Sequence, residues 1–256
     1  MYENFWFDTA VLVGALHLTA PAVVRSGFRF AARCKPIVVS VDQLPKEVAS
    51  YIVPRIPQME NLGFELLGCY DFGVLAGDSR RYVAYFLKRS TNDFANVTVA
   101  SSPQKIATYF EFSTRFANGL TLETNTNHVL PLTPDNPDIQ VFRFPEISEP
   151  QALYRLHLRL IQKHASGQWA QGERKDQELG RLVNVVENYG PRHAKLGYMF
   201  LAKNGCTYRL TWKGALLMTW RGLWPTSLVR KSLQRKTMQS ELQALPVRAV
   251  TKPQKA

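Results

Sequence analysis

Between Ile37 and Thr124 the chain alternates apolar and polar residues with a period of two, in short segments divided by Gly, Asn, Asp and Ser. Segments Ile37–Val41, Phe64–Phe72, Tyr82–Lys88, Asn96–Ala100, Ala107–Thr114 and Leu120–Thr124 are rich in aromatic and β-branched residues. This pattern predicts the strands of an antiparallel sheet. The Asn118-Gly119 pair predicts a two-residue type I′ hairpin. That turn would set Ala117 opposite Leu120, Phe116 opposite Thr121 and Arg115 opposite Leu122.

Helical spacing predicts the flanking layers. Pro45–Val53 opens on a proline and repeats Val48, Ile52 and Val53, before Pro54 and Pro57 interrupt it. Prolines 131, 134, 137, 145 and 150 mark a connection, with Val141–Phe144 as an edge strand. From about Glu149 to Ala165, Leu153, Leu156, Leu160 and Ile161 share one helical face. The polar, glycine-containing segment from Ser166 reads as a linker, and Gln177–Tyr189 as a further helix.

These elements add up to an α+β protein with a central antiparallel sheet, flanking helices and a small helix-hairpin-helix unit at the carboxy terminus. The expected divisions are an apolar amino-terminal segment (1–35), a sheet domain (36–165), a linker (166–178), the helix-hairpin-helix unit (179–225) and a basic tail (226–256).

Charge changes the picture. Residues 1–190 carry 19 Lys+Arg and 19 Asp+Glu, whereas 191–256 carry 13 basic residues and one acid, Glu241. Such segregation concerns partners rather than fold, because a positive surface attracts lipid or nucleic-acid phosphates. An unengaged basic tail is the plain alternative. Three widely spaced cysteines, Cys34, Cys69 and Cys206, form no zinc or disulfide pattern and suit a reducing compartment.

The run from Ala10 to Val24 is apolar but interrupted by His17 and Pro21. It is borderline for the roughly 20 apolar residues of a membrane span, and it lacks the positive start of a secretory signal. It is expected either to anchor the chain, leaving the bulk cytoplasmic because Arg25, Arg29, Arg33 and Lys35 follow it, or to pack on the domain.

The segment LGYMFLAKNGCTYRLTWKGALLM, residues 196–218, resembles the wing and closing helix of winged-helix proteins, where a Gly turn and Tyr-x-Leu-Thr-x-x-Gly recur. The resemblance covers those residues alone and implies DNA binding through the hairpin and basic carboxy terminus. It departs from the family pattern at Trp212, which stands where a polar residue is usual, and no major-groove helix is evident.

Just beyond, Leu216, Trp220, Leu223 and Trp224 fall at i, i+4, i+7 and i+8, and predict one apolar face on a helix stopped by Pro225. Tryptophan suits a membrane-water boundary as well as a domain contact. Arg221, Arg230, Lys231, Arg235 and Lys236 are the basic residues expected beside that face, against an anionic leaflet.

Motifs for catalysis are sparse. Glu123, Asn125, Asn127 and His128 form the one polar cluster in which a carboxylate stands near a histidine, as acid-base chemistry requires; Asn-rich strand ends are also ordinary turn formers. His157 and His164, seven residues apart on one helix, are about 10 Å apart at 1.5 Å per residue, too far to share a metal ion comfortably. No nucleotide-binding loop or nucleophile elbow is present. The expectation is therefore a non-enzymatic interaction protein at the cytoplasmic face of a membrane, without cofactor or metal. DNA binding is the runner-up, and an enzyme of unknown reaction the third reading; a soluble cytoplasmic protein is the alternative location.

Overall fold

A computed structural model describes residues 3–172 and 177–243. Residues 173–176 of the expected linker, and 244–256 of the expected basic tail, lie outside the described residues.

The fold is α+β, built on one large mixed sheet. Helix α1 (Glu3–Gly27) leads into β1 (Arg29–Ala31) and β2 (Ile37–Val39). Helices α2 (Lys46–Ile52) and α3 (Ile56–Glu60) follow, joined by a short 3-10 turn at Val53–Arg55. Pro54 and Pro57 thus break the helix without ending the helical path, because each stands at a first-turn position where no amide hydrogen is needed. Strands β3 (Glu65–Ala76), β4 (Ser79–Lys88), β5 (Asp93–Ser101), β6 (Ile106–Arg115) and β7 (Thr121–Asn125) then run as an antiparallel meander. Strand β8 (Ile139–Arg143) pairs parallel to β7 at the sheet edge, so the sheet is mixed and not wholly antiparallel.

The remaining elements are α4 (Pro150–His164), α5 (Glu178–Glu187), α6 (Tyr189–Lys195), β9 (Met199–Leu201), β10 (Thr207–Leu210), α7 (Trp212–Gly222) and α8 (Thr226–Gln243). Among the described residues the sheet order is β8-β7-β6-β5-β4-β3-β1-β10-β9, with β2 on β3. The carboxy-terminal hairpin β9–β10 therefore joins the main sheet through β1, a three-residue strand too short to give a periodic signal. Residues 226–243, expected as tail, form α8, whose Met238 and Leu242 pack against the main core.

The burial pattern of the strands follows the sequence. In β4, Tyr82 to Leu87 is an unbroken apolar run and is buried on both faces. On one face Tyr82, Ala84 and Phe86 meet the core built with Phe110, Phe112 and Leu122, under Leu153, Leu156 and Leu160 of α4 and Val48, Ile52 and Met59 of α2 and α3. On the other face Val83, Tyr85 and Leu87 join Phe30, Phe72 and Phe94 beneath α5 and α6. Strand β6 instead alternates: Phe110, Phe112 and Thr114 are buried, while Glu111 and Ser113 are half-buried on the second face.

The hairpin between β6 and β7 corrects the expected register by one residue. Arg115 pairs with Thr121 and Thr114 with Leu122. The Phe116 amide donates to Leu120 O at 2.8 Å, and the Gly119 amide to Phe116 O at 2.9 Å. The loop is Ala117–Asn118–Gly119, and of these only Gly119 has positive φ (+88°). A type I′ turn needs positive φ at both central residues; here the Ala117 amide donates instead to Trp169 O, 3.1 Å away.

Among the described residues no helix is long and apolar enough to cross a membrane, which corrects the expected span at residues 10–24. Helix α1 packs along α7, and its Val24, with Phe28 just beyond its end, closes a third core with Met199, Leu210, Ala215 and Met218. His17 approaches Trp224 O (3.1 Å), and Arg25 lies over the Trp212 ring (4.7 Å), so α1 runs antiparallel to α7.

Candidate functional site

The second face of the sheet is covered by α5 and α6 only over its middle strands. Over β5, β6 and β7 it opens into a cleft of about 450 Å³. Its floor is the polar row that strand alternation sends to this face. Asn96, Glu111 and Asn125 are consecutive cross-strand partners on β5, β6 and β7. Glu123 stands one step along β7, opposite Ser113 and diagonal to Glu111. Residues of α5 and α6, including Arg181, Asn184 and Arg192, form one wall, and the Asn136–Ile139 turn forms another.

Glu111 is held at both carboxyl oxygens. Asn96 donates to one at 3.0 Å and Asn125 to the other at 3.2 Å. The amide oxygens of these asparagines are engaged in turn, Asn96 Oδ1 by the Thr98 hydroxyl (3.2 Å) and Asn125 Oδ1 by the Asn127 amide (3.1 Å). Loss of water in the cleft raises the pKa of Glu111 against these hydrogen bonds and the charges of Arg143 and Arg81. Glu123 is pushed up to about 8, first by desolvation and then by the neighbouring Glu111, with Arg143 and Arg181 opposing. At neutral pH the pair therefore retains a proton.

The expected polar cluster is divided by the fold. Glu123 lines the cleft, Asn125 is buried beside it and donates to Glu111, and Asn127 is half-buried at the strand end, where its side chain accepts from the Val129 amide at 2.9 Å. His128 is exposed and lines a separate recess with Glu146, Lys231 and Arg235. Sequence reading missed Glu111 and Asn96; the polar residues of YFEFS and FANVT at period two were the available signal.

A second buried polar group lies on the opposite face. Asp93 accepts from the hydroxyls of Thr91 and Tyr154, each at 2.7 Å, and from Thr114. His157 sits between the hydroxyls of Thr114 and Thr124, each 3.0 Å away. His164 points elsewhere, toward Glu241 at 3.3 Å.

The expected contact residues around the tryptophans are distributed over three elements. Trp212, Leu216 and Trp220 recur every four residues on the outer side of α7, opposite buried Gly214, Ala215 and Met218. Leu223 and Trp224 lie beyond the last turn of α7, so they do not extend its face. Trp224 is nevertheless exposed, as are Leu228, Val229 and Leu233 of α8. Of the basic residues, Arg221 donates to Thr133 O at 2.6 Å and Arg230 to Pro131 O at 2.8 Å, pinning the proline-rich connection to α7 and α8. Lys231, Arg235 and Lys236 are exposed. Glu241 is buried and paired with Lys163 at 2.8 Å.

No protein-family model, no curated protein and no solved structure matches this chain.

Proposed function

We propose that this protein is a non-enzymatic interaction protein that attaches peripherally to an anionic membrane surface through α7, the Trp224 turn and α8. The supporting observation is a set of large apolar side chains left in water: Trp212, Leu216, Trp220, Trp224, Leu228, Val229 and Leu233 are each at least 54 % exposed. Apolar surface left in water forgoes about 25 cal/mol per Å², and a tryptophan carries about 150–250 Å². Large apolar side chains left exposed on consecutive elements point to an interaction site. Tryptophan favours the headgroup level of a bilayer. Exposed Lys213, Lys231, Arg235 and Lys236 on the same two helices supply positive charge, each worth about 1 kcal/mol close to anionic lipid. The attachment is interfacial, since none of the described helices meets the requirement for a span.

Nucleic acid is the second reading, favoured by one feature. Arg29 of β1 stands directly opposite Arg209 of β10, a like-charge pair that costs stability and that phosphate would relieve. The helix before the hairpin argues against base reading. In α6, His193 is buried, Arg192 hydrogen-bonds to Asp135 O, and Tyr189 bonds to Thr133 (3.0 Å), which leaves Lys195 as its exposed basic residue. A helix so engaged presents no row of side chains to a groove.

The test is cosedimentation with neutral and anionic vesicles, beside duplex-DNA retention, across a salt series. Changing Lys231, Arg235 and Lys236 to Gln is expected to weaken vesicle binding and flatten its salt dependence. Trp220→Ala with Trp224→Ala is expected to weaken binding while preserving the salt slope, with circular dichroism showing an intact fold. Arg230 is left unchanged because of its bond to Pro131. DNA retention at physiological salt without vesicle binding would overturn this reading, as would failure of the parent protein to bind anionic vesicles at low salt.

A further inference from the structure

Strand β2 lies on β3, and among the described residues no strand pairs with its outer side. In an antiparallel sheet, alternate residues turn their amides and carbonyls to opposite neighbours. The Thr126 amide donates to Phe110 O at 3.1 Å, which turns Phe110 toward β7. Followed through the registers of β5, β4 and β3, the same alternation turns Cys69 and Asp71 toward β2. Ile37 and Val39 therefore bond to β3, and the amide and carbonyl of Val38 point away from the sheet. Ile37 is 64 % and Val38 68 % exposed, so neither helical layer covers this edge.

An exposed apolar edge is a template for another strand, and its donors and acceptors select which one. On the outward side Pro36 offers a carbonyl but no amide hydrogen. Val38 offers both groups. Ser40 offers its amide alone, because its carbonyl already accepts from the Gln43 amide at 3.0 Å. Turned about a two-fold axis at Val38, this pattern is its own complement. Val38 meets Val38 of the second copy and exchanges hydrogen bonds in both directions, and each Ser40 amide meets the Pro36 carbonyl of the other copy. The amide that Pro36 lacks would have faced the Ser40 carbonyl that is already taken.

We propose that two copies of this chain pair antiparallel through β2, joining their sheets across a two-fold axis. The pairing sets the exposed Ile37 of each copy against Val39 of the other, and the two Val38 side chains against each other on the opposite face. It also brings Lys35 of one copy beside the Val41–Gln43 turn of the other, which carries Asp42; both charged residues are exposed and opposite in sign. A two-fold contact of this kind is closed, so association stops at the dimer. The assignment uses none of the residues of the membrane reading, and each stands without the other.

The experiment is analytical ultracentrifugation of the full chain over about 1–300 µM, a range that suits the weak association of a small interface centred on one short strand. A reversible monomer-dimer equilibrium is expected, with no larger species. Val38→Pro removes the outward amide hydrogen and leaves the bonds of β2 to β3 in place. Ile37→Lys puts a charge on the edge at a position that is exposed in the monomer. Each is expected to weaken dimerisation by about tenfold or more, with circular dichroism showing a folded chain; should Val38→Pro fail to fold, Ile37→Lys decides. Trp220→Ala with Trp224→Ala is expected to leave the dimer unchanged, which separates this contact from association through the tryptophan surface. A parent that stays monomeric throughout, undiminished association of folded Ile37→Lys, or loss of the dimer in the tryptophan variant would each overturn the assignment.

Discussion

The Nε2 atom of His157 lies 3.0 Å from Oγ1 of Thr114, and the hydroxyl hydrogen of Thr114 goes to Asp93. That hydroxyl must then accept from His157, so Nε2 carries the proton and Nδ1 accepts from the Thr124 hydroxyl. A second proton, on Nδ1, would have to turn the Thr124 hydroxyl from donor to acceptor. The buried ring is accordingly pulled down to about 4, by desolvation against the opposing charge of Asp93.

This relationship sets the acid response. With the folded pKa below the ordinary value of 6.5, the unfolded chain binds more protons between those limits. The contribution of His157 is complete above about pH 6.5 and is lost as pH falls through about 4. It amounts to about 3 kcal/mol. Urea unfolding from pH 7 to 4 is expected to show the parent losing about that much more stability than His157→Gln, which has no titrating group at this position. His193, also displaced to about 4 by burial and then Arg192, is present in both proteins and cancels in the comparison. Parallel pH curves would exclude the neutral, sandwiched imidazole.

The hairpin at Ala117–Gly119 yields a second prediction. Gly119 has open space around its Cα but a φ of +88°, so conformation and not crowding limits substitution. Gly119→Ala is expected to cost about 1–2 kcal/mol and Gly119→Val more, because β-branching adds to the left-handed penalty. Asn118→Ala, which removes the side-chain bond to the Leu120 amide at 3.0 Å, is expected to cost about 1 kcal/mol. Thermal melting of the three variants checks the order, and a Val variant as stable as the parent would contradict it.

Gly214 and Gly180 form a third, paired prediction. A Cβ at Gly214 would lie 2.1 Å from Tyr198 O, whereas one at Gly180 meets nothing within 4 Å. Both positions are helical, where alanine ordinarily gains about 1 kcal/mol over glycine. Gly180→Ala is expected to raise Tm by that preference. Gly214→Ala is expected to lower it, since α7 must move off the strand entry at a cost of about 1–3 kcal/mol. Equal gains from both substitutions would mean that α7 does not approach Tyr198 closely.

Much of the scaffold was legible because period-two and helical spacing report local burial. The meander from Phe64 to Thr124 and the helix at Leu153–Leu160 follow from that signal. The alternation in β6 already marked one wet face. The sequence by itself also determined the charge asymmetry and the tryptophan-rich segment. Register, pairing and exposure were decided elsewhere. The Ala117 amide of the shifted hairpin finds its acceptor at Trp169, far along the chain; the joining of β10 to the sheet depends on a three-residue β1; and the outward row of α7 begins at Trp212, against Arg25 of α1. The cleft shows the distinction most directly: Asn96, Glu111 and Asn125 are neighbours only across strands, and the water that Glu123 loses is displaced by α5, some sixty residues later. Local propensity is written along the chain, whereas pairing and desolvation arise between segments and exist only once they have met.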